Sequence, residues 1–389
     1  MRKRIVQWLL GLVVIAILIY TNRATILTTV VDIVGLSDPF VGVTTNGVVR
    51  EGLFSIAASG ATTDPMRQAA SDFLASLSPD ERGEASFDID DDEWRRWMNI
   101  HLYDRRGVGF LDMSQRQKEA GYGLLAASLS ERGYAQARDI MRLDTTLGEL
   151  NGDDFEWYGE ERFWLTLMGE PDPVEPWGWQ LDGHHLVINY FVLGDQVVMS
   201  PVFLGAEPVI APSGRHAGVS VLQREQNQGL AVINSLTSQQ QSQAVRSSVK
   251  SGNNAVGEFY SDNVVVEFAG VPVSSFDDQQ RDQLLALIEL FVGHMDDAHA
   301  RVKMEEINRY LDETYFAWVG ETSADAVFYY RIHSPVVLIE FDHQSPIGLR
   351  HLATTDGPQR NHIHAVIRTP NGNDYGKDLL RQHYAEHPH

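Results

Sequence analysis

The chain has no cysteine. That absence excludes disulfides, thiol nucleophiles and zinc sites built on thiolates. Positive charge is also scarce: 31 lysines and arginines stand against 53 aspartates and glutamates, a net charge of −22 over 389 residues. So acidic a surface repels a phosphate backbone, and no basic stripe with interleaved aromatics relieves it, so no nucleic-acid partner is expected. Also missing are G-x-S-x-G, the phosphate-binding glycine loops, H-E-x-x-H and the EF-hand calcium loop, which withdraws support from serine hydrolysis and nucleotide cofactors. Ser247-x-x-Lys250 and Ser261-Asp262-Asn263 imitate penicillin-recognising motifs, but they crowd into one polar stretch and share too few separate elements to converge.

What is present is enough apolar material for a core: 43% hydrophobic residues and eight tryptophans. The uncharged run of near-membrane length is Ile5–Tyr20, directly behind "MRKR". A cationic flank before an apolar core predicts a signal anchor over 1–23, uncleaved because no small-x-small site follows. Arg2, Lys3 and Arg4 then stay cytoplasmic, the inner membrane becomes a partner, and the body lies outside it.

The body reads as a duplication. "FWLTLMGEPDPVEPWGWQLDGHHLVINYF" (163–191) aligns without a gap on "TYFAWVGETSADAVFYYRIHSPVVLIEFD" (314–342), at an offset of 320 − 169 = 151 set by Gly169-Glu170 and Gly320-Glu321. Upstream, "SQRQKEAGYGLLAASLSERGYAQARDIM" resembles "DDQQRDQLLALIELFVGHMDDAHARVKM", and downstream "VVMSP" resembles "VIRTP". Each half predicts two helices, an aromatic Gly-Glu turn and two strands, with helical spacing in the first part and β-branched, aromatic runs in the second. The expected fold is therefore α+β: two degenerate repeats forming a central, mainly antiparallel sheet with packed helices. A tether is expected over 24–62, the first half over 63–210, a Gln/Ser-rich connector over 211–262 and the second half over 263–389. Asp64 is the expected cap of the helix that opens with Pro65.

The chemistry concentrates in "RNHIHAVIRTP". On a strand, period two places His362, His364 and Arg368 on one face, and H-x-H offers two imidazoles side by side to a divalent metal. The neighbouring "YYRIHSPVVLIEFD" adds His333, Glu340 and Arg331. "LDGHHLVIN" adds Asp182, His184 and His185, with Gly183 able to bulge so that both rings point one way. The candidate metal ligands are thus His362, His364, His333, His184 and His185. Glu340 or Asp182 is the expected general base, and Arg331 and Arg368 are expected to orient an anionic group or to pair with carboxylates. "HMDDAH" (294–299) reads as solvated helix surface, His383 as part of a frayed terminal helix, and "PWGW" as a packed turn.

The stretches "PWGWQLDGHHLVINYF", "SPVFLGAEP", "YYRIHSPVVLIEFD" and "NHIHAVIRTPNGNDYGKDLLRQHY" resemble a mostly bacterial family, domain of unknown function 3500, from about Pro65 onward. That resemblance implies a shared fold and no particular activity. The residues themselves predict an exported, membrane-anchored hydrolase that uses zinc, iron, manganese or copper on a small-molecule substrate. Metal-dependent oxidation, non-catalytic binding of a small ligand or metal, and a purely structural envelope role are the alternatives.

Overall fold

The computed structural model describes residues 23–387. The expected anchor, Ile5–Tyr20, lies outside them, and among the described residues no helix is long and apolar enough to cross a membrane.

One twelve-stranded sheet organises the chain. Its long strands are β1 (Phe163–Met168), β2 (Trp177–Gly183), β3 (Leu186–Leu193), β4 (Gln196–Ala206), β5 (Tyr315–Gly320), β6 (Phe328–His333), β7 (Leu338–His343) and β8 (Ile363–Arg368). They lie in the order β1-β2-β3-β4-β8-β7-β6-β5, every neighbour antiparallel. Two four-stranded meanders therefore meet at a β4–β8 seam, in register from Ile363 opposite Ala206 to Ile367 opposite Val202. Two residues further the Ser200 and Thr369 hydroxyls hydrogen-bond across the seam at 2.7 Å. Short strands Ser86–Phe87 and Val245–Ser247 run parallel to β1 and β5 at the two outer edges.

The mixed α+β class and the mainly antiparallel sheet agree with the sequence reading. Each half, however, holds four long strands rather than two. The aromatic segments read as turns, "FWLTLM" and "YFAWVG", are β1 and β5, because their β-branched and aromatic side chains pack on a sheet buried from both sides. Trp177 and Trp179 are fully buried in β2, as a packed role for "PWGW" requires.

Helices precede each meander: α1 (Asp64–Ser76), α2 (Gln115–Ser128) and α3 (Glu131–Leu150) in one half, α4 (Gln223–Ser235), α5 (Asp278–Val292) and α6 (Asp297–Arg309) in the other. Ser114 and Gln117 cap α2 reciprocally, and Asp277 and Gln280 do the same for α5. At α1 the capping position is Thr63, one residue before the expected Asp64, and its side chain makes no capping bond. His294 and His299 are buried rather than solvated, because the α5–α6 turn packs inward: Ser130 at the start of α3 bonds Gly293 and His294. His383 is likewise buried and pairs with Glu175 at 3.2 Å, so that end of the chain is docked.

The polar connector is built into the fold. It contributes α4, which packs on α5, and its later part lies across the outer face of β7 and β8. Asp342 accepts the Asn254 and Ala255 N–H groups at 2.5 and 3.1 Å and pairs with Lys250 at 2.9 Å. Glu340 accepts from Val256 and Gly257 at 2.9 and 2.7 Å. Arg368 donates to the carbonyls of Gly257 and Glu258 at 2.7 and 3.1 Å. Buried carboxylates holding backbone amides are strong, charge-assisted anchors, and here they fix where Glu258 stands.

Candidate metal centre

β2 and β3 pair as far as Gly183 opposite Leu186, which leaves His184 and His185 as a two-residue turn. Strand alternation does not apply to a turn. His185 adopts a left-handed backbone, φ 63°, and its ring stacks on that of His184 with centroids 3.8 Å apart. The seam then delivers β8 to the same end of the sheet: His364 lies opposite Gly205, and Gly205 N–H donates to the His185 carbonyl at 2.7 Å. Glycine is required at 205, since a Cβ there would stand 2.9 Å from the Ile363 carbonyl oxygen and 3.2 Å from the His364 ring.

The result is a buried trio, His185, His362 and His364, whose potential ligand atoms all lie within 4.8 Å of one another. The Nε2 atoms of His362 and His364 are 3.0 Å apart, and those of His364 and His185 are 3.3 Å apart. Three nitrogens bound tetrahedrally at ~2.0–2.1 Å from one zinc ion stand about 3.3 Å from each other.

The outer nitrogens decide what faces inward. His362 Nδ1 lies 2.7 Å from the Ser345 carbonyl, and His364 Nδ1 lies 2.9 Å from a Glu258 carboxylate oxygen. Both partners only accept, so each Nδ1 carries the proton and each Nε2 presents a lone pair, an assignment made from the hydrogen-bond network. Burial, reinforced by the neighbouring imidazoles, holds His185 and His362 well below the usual histidine range, so they are neutral. Two lone pairs thus point at each other across 3.0 Å, an arrangement that repels unless a cation sits between them.

Several expected site residues go elsewhere. His333 is at the other end of β6, paired with Tyr315 and Leu338. Its row continues to Arg368, whereas the row of His364 passes through Asp342. Four residues at about 3.3 Å each separate the two rows, too far for one ion. His184 stays beside the trio, but its Nδ1 is committed to Asp144 at 2.6 Å. Asp182 pairs with Arg105 at 3.1 Å, and burial pushes its carboxyl up to about 6. Glu340 is used by Val256, Gly257 and the Tyr329 hydroxyl. Arg368 is fully buried between Asp262 and Asp374, at 2.9 and 3.1 Å, and Arg331 donates to the Glu267 carbonyl. These groups position the frame and do not reach the trio.

Sequence reasoning missed Glu258, Asp144 and the Ser345 carbonyl, the partners that aim the rings. No local pattern in "VGEFYSD" or "MRLDTT" marks them. The signal was indirect: Glu340, Asp342 and Arg368 on an apolar strand pair needed partners, and the connector supplies them.

An α+β frame carrying three convergent histidines, two of them held through Nδ1 by acceptors, defines a candidate metalloprotein. The family profile of DUF3500, proteins of unknown function, matches residues 59–377, and the chain belongs to that family. No curated protein and no solved structure matches it.

Proposed function

We propose that this protein is a metal-dependent enzyme, with hydrolysis as its reaction class, in which His185, His362 and His364 hold one divalent ion. One observation carries the reading: two buried Nε2 atoms 3.0 Å apart, with both outer nitrogens committed to acceptors. A proton on His364 would answer one of these lone pairs, whereas a metal ion answers all three nitrogens. Neutral nitrogen donors suit zinc or copper better than manganese. Three protein ligands leave one position of a tetrahedral ion open, the pattern of catalytic rather than structural zinc. A divalent ion there would polarise an oxygen of substrate or water as a Lewis acid.

The chain's own residues supply the rest. Glu258 draws on the His364 Nδ1 proton and makes that ring a stronger donor, and the Ser345 carbonyl does the same for His362. Asp144 fixes the ring of His184, which in turn backs His185. The mirrored strand order and the Ser200–Thr369 contact support reading the sheet as two degenerate copies, with the centre at one end of their seam. Tethering to the inner membrane, with the body outside it, is part of the proposal and rests on "MRKR" and Ile5–Tyr20 alone.

Elemental analysis of the full chain, beside His362→Ala/His364→Ala, tests this. Near-stoichiometric metal in the wild type, lost from a variant that keeps its circular dichroism, is the expected result. No metal in either would refute the metal reading.

A further inference from the structure

His362 forms part of the wall of a cavity of about 160 Å³. Apart from that residue, the one ionisable group in the wall, among the described residues, is Glu207. Its carboxylate is already occupied, accepting from the backbone N–H groups of Ile347, Gly348 and Leu349 at 3.1, 2.7 and 3.2 Å. No cation faces the cavity to hold an anion, and the carboxylate has little capacity left for a cationic ligand.

Gln359 and Asn361 are the neutral polar residues of the wall, and the rest of it is aliphatic or proline. Ile210 and Leu352 line it, 46% and 55% exposed, and Ile347, next in the chain to the lining Pro346, is 64% exposed. On a chain of net charge −22, aliphatic groups gathered at the entrance to a cavity walled by a candidate metal ligand mark a binding site rather than random exposure. The second cavity near the centre is of another kind: it is walled by His184 with Arg105, Arg162, Asp104 and Glu156.

We infer that the cavity beside His362 admits a neutral, apolar ligand of short-chain size, and that this is the substrate class of the proposed metal centre. The inference rests on that metal reading for the word substrate, and on the cavity alone for the word apolar. The loop 345–349 couples the two, because it supplies the carbonyl that holds His362 and the amides that occupy Glu207. A ligand there would touch Pro346 and Leu349 of the same loop.

The test is calorimetric titration of the full chain with hexanamide and with hexanoate, before and after zinc loading. The variant Ile347→Gln/Leu352→Gln runs in parallel; both side chains are exposed, so the fold tolerates the change. Hexanamide binding at least tenfold tighter than hexanoate, weakened at least tenfold in the variant at unchanged zinc content, is the expected result. Movement of the His362 ring-nitrogen resonances on adding hexanamide is expected with it. Equal or tighter hexanoate binding, or indifference to the variant, would overturn the inference. So would concentration-dependent dimerisation that the variant abolishes while hexanamide fails to bind, since the patch would then serve a second copy. A chain that takes up no zinc yet still prefers hexanamide would contradict the metal reading and leave the cavity assignment standing.

Discussion

The two ends of the β4–β8 seam share a backbone and differ in chemistry. If the spacing that sets Ser200 against Thr369, 369 − 200 = 169, is carried along the strands, His362 and His364 correspond to Leu193 and Asp195. By the other offset, 151, His185 corresponds to Val336. At the histidine end three rings converge. At the far end Leu193 and Val336 are core residues, and Asp195 holds the Ser59 and Gly60 amides at 3.0 and 2.9 Å. One end gathers nitrogen donors and the other ties down a chain segment. The comparison teaches that the frame alone makes no centre; the side chains aimed from outside do.

A second contrast concerns the histidines themselves. His343 is buried and satisfied twice, accepting from Phe328 N–H and donating to the Gln226 side-chain oxygen. His333 is buried against Phe268 with neither nitrogen partnered. The trio differs from both in that His362 and His364 have their outer nitrogens bonded while the Nε2 atoms of all three rings face one another.

The comparison breaks most sharply at His364. His364→Ala should abolish metal binding, whereas Asp195→Asn at the opposite end should leave metal content unchanged; elemental analysis of both checks this, and equal effects would end the distinction. Next in size is Arg368→Met. It strands Asp374 without its cation, leaves Asp262 to Arg95 alone and frees the Gly257 and Glu258 carbonyls, so a loss of roughly 3–5 kcal/mol is expected in denaturant unfolding. Stability within error of wild type would mean the buried network does not hold the strap. Glu258→Gln keeps the shape and removes the charge behind His364; metal affinity should fall roughly 10–100-fold, read by competition with a chromophoric chelator, with little change in the melting temperature.

The smallest effect is at His333. Burial lowers its pKa to about 3 from 6.5. Between those values the unfolded chain binds a proton that the folded chain does not, so this group makes stability fall as pH drops from 6.5 towards 3. His333→Phe should remove about one proton from that slope, keep the metal, and leave stability at neutral pH equal or about 1 kcal/mol higher, since an unpartnered buried polar group is lost. Loss of metal in this variant would place His333 in the centre after all.

Much of this was legible. The H-x-H pair, the His184-His185 pair, the α+β class and the mainly antiparallel sheet follow from composition and periodicity. The extra strands were not, because β1 and β5 are short aromatic segments whose Trp164, Phe316 and Trp318 suit a packed turn as well as a strand. His333 was misplaced because strand period specifies a face and not a row; only the register with β7 sets it beside Arg368. Glu258 was invisible because it reaches the centre through backbone amides bonded to carboxylates 83 to 88 residues away. Such long-range pairing leaves no local trace.

The most direct test is an anomalous-diffraction measurement on crystals of the zinc-soaked protein at neutral pH. The account predicts one strong peak about 2.0–2.1 Å from the Nε2 atoms of His185, His362 and His364, with Glu258 still on His364 Nδ1 and no protein atom in the fourth position. No peak there, with the His362 and His364 nitrogens bridged by a proton instead, would contradict it.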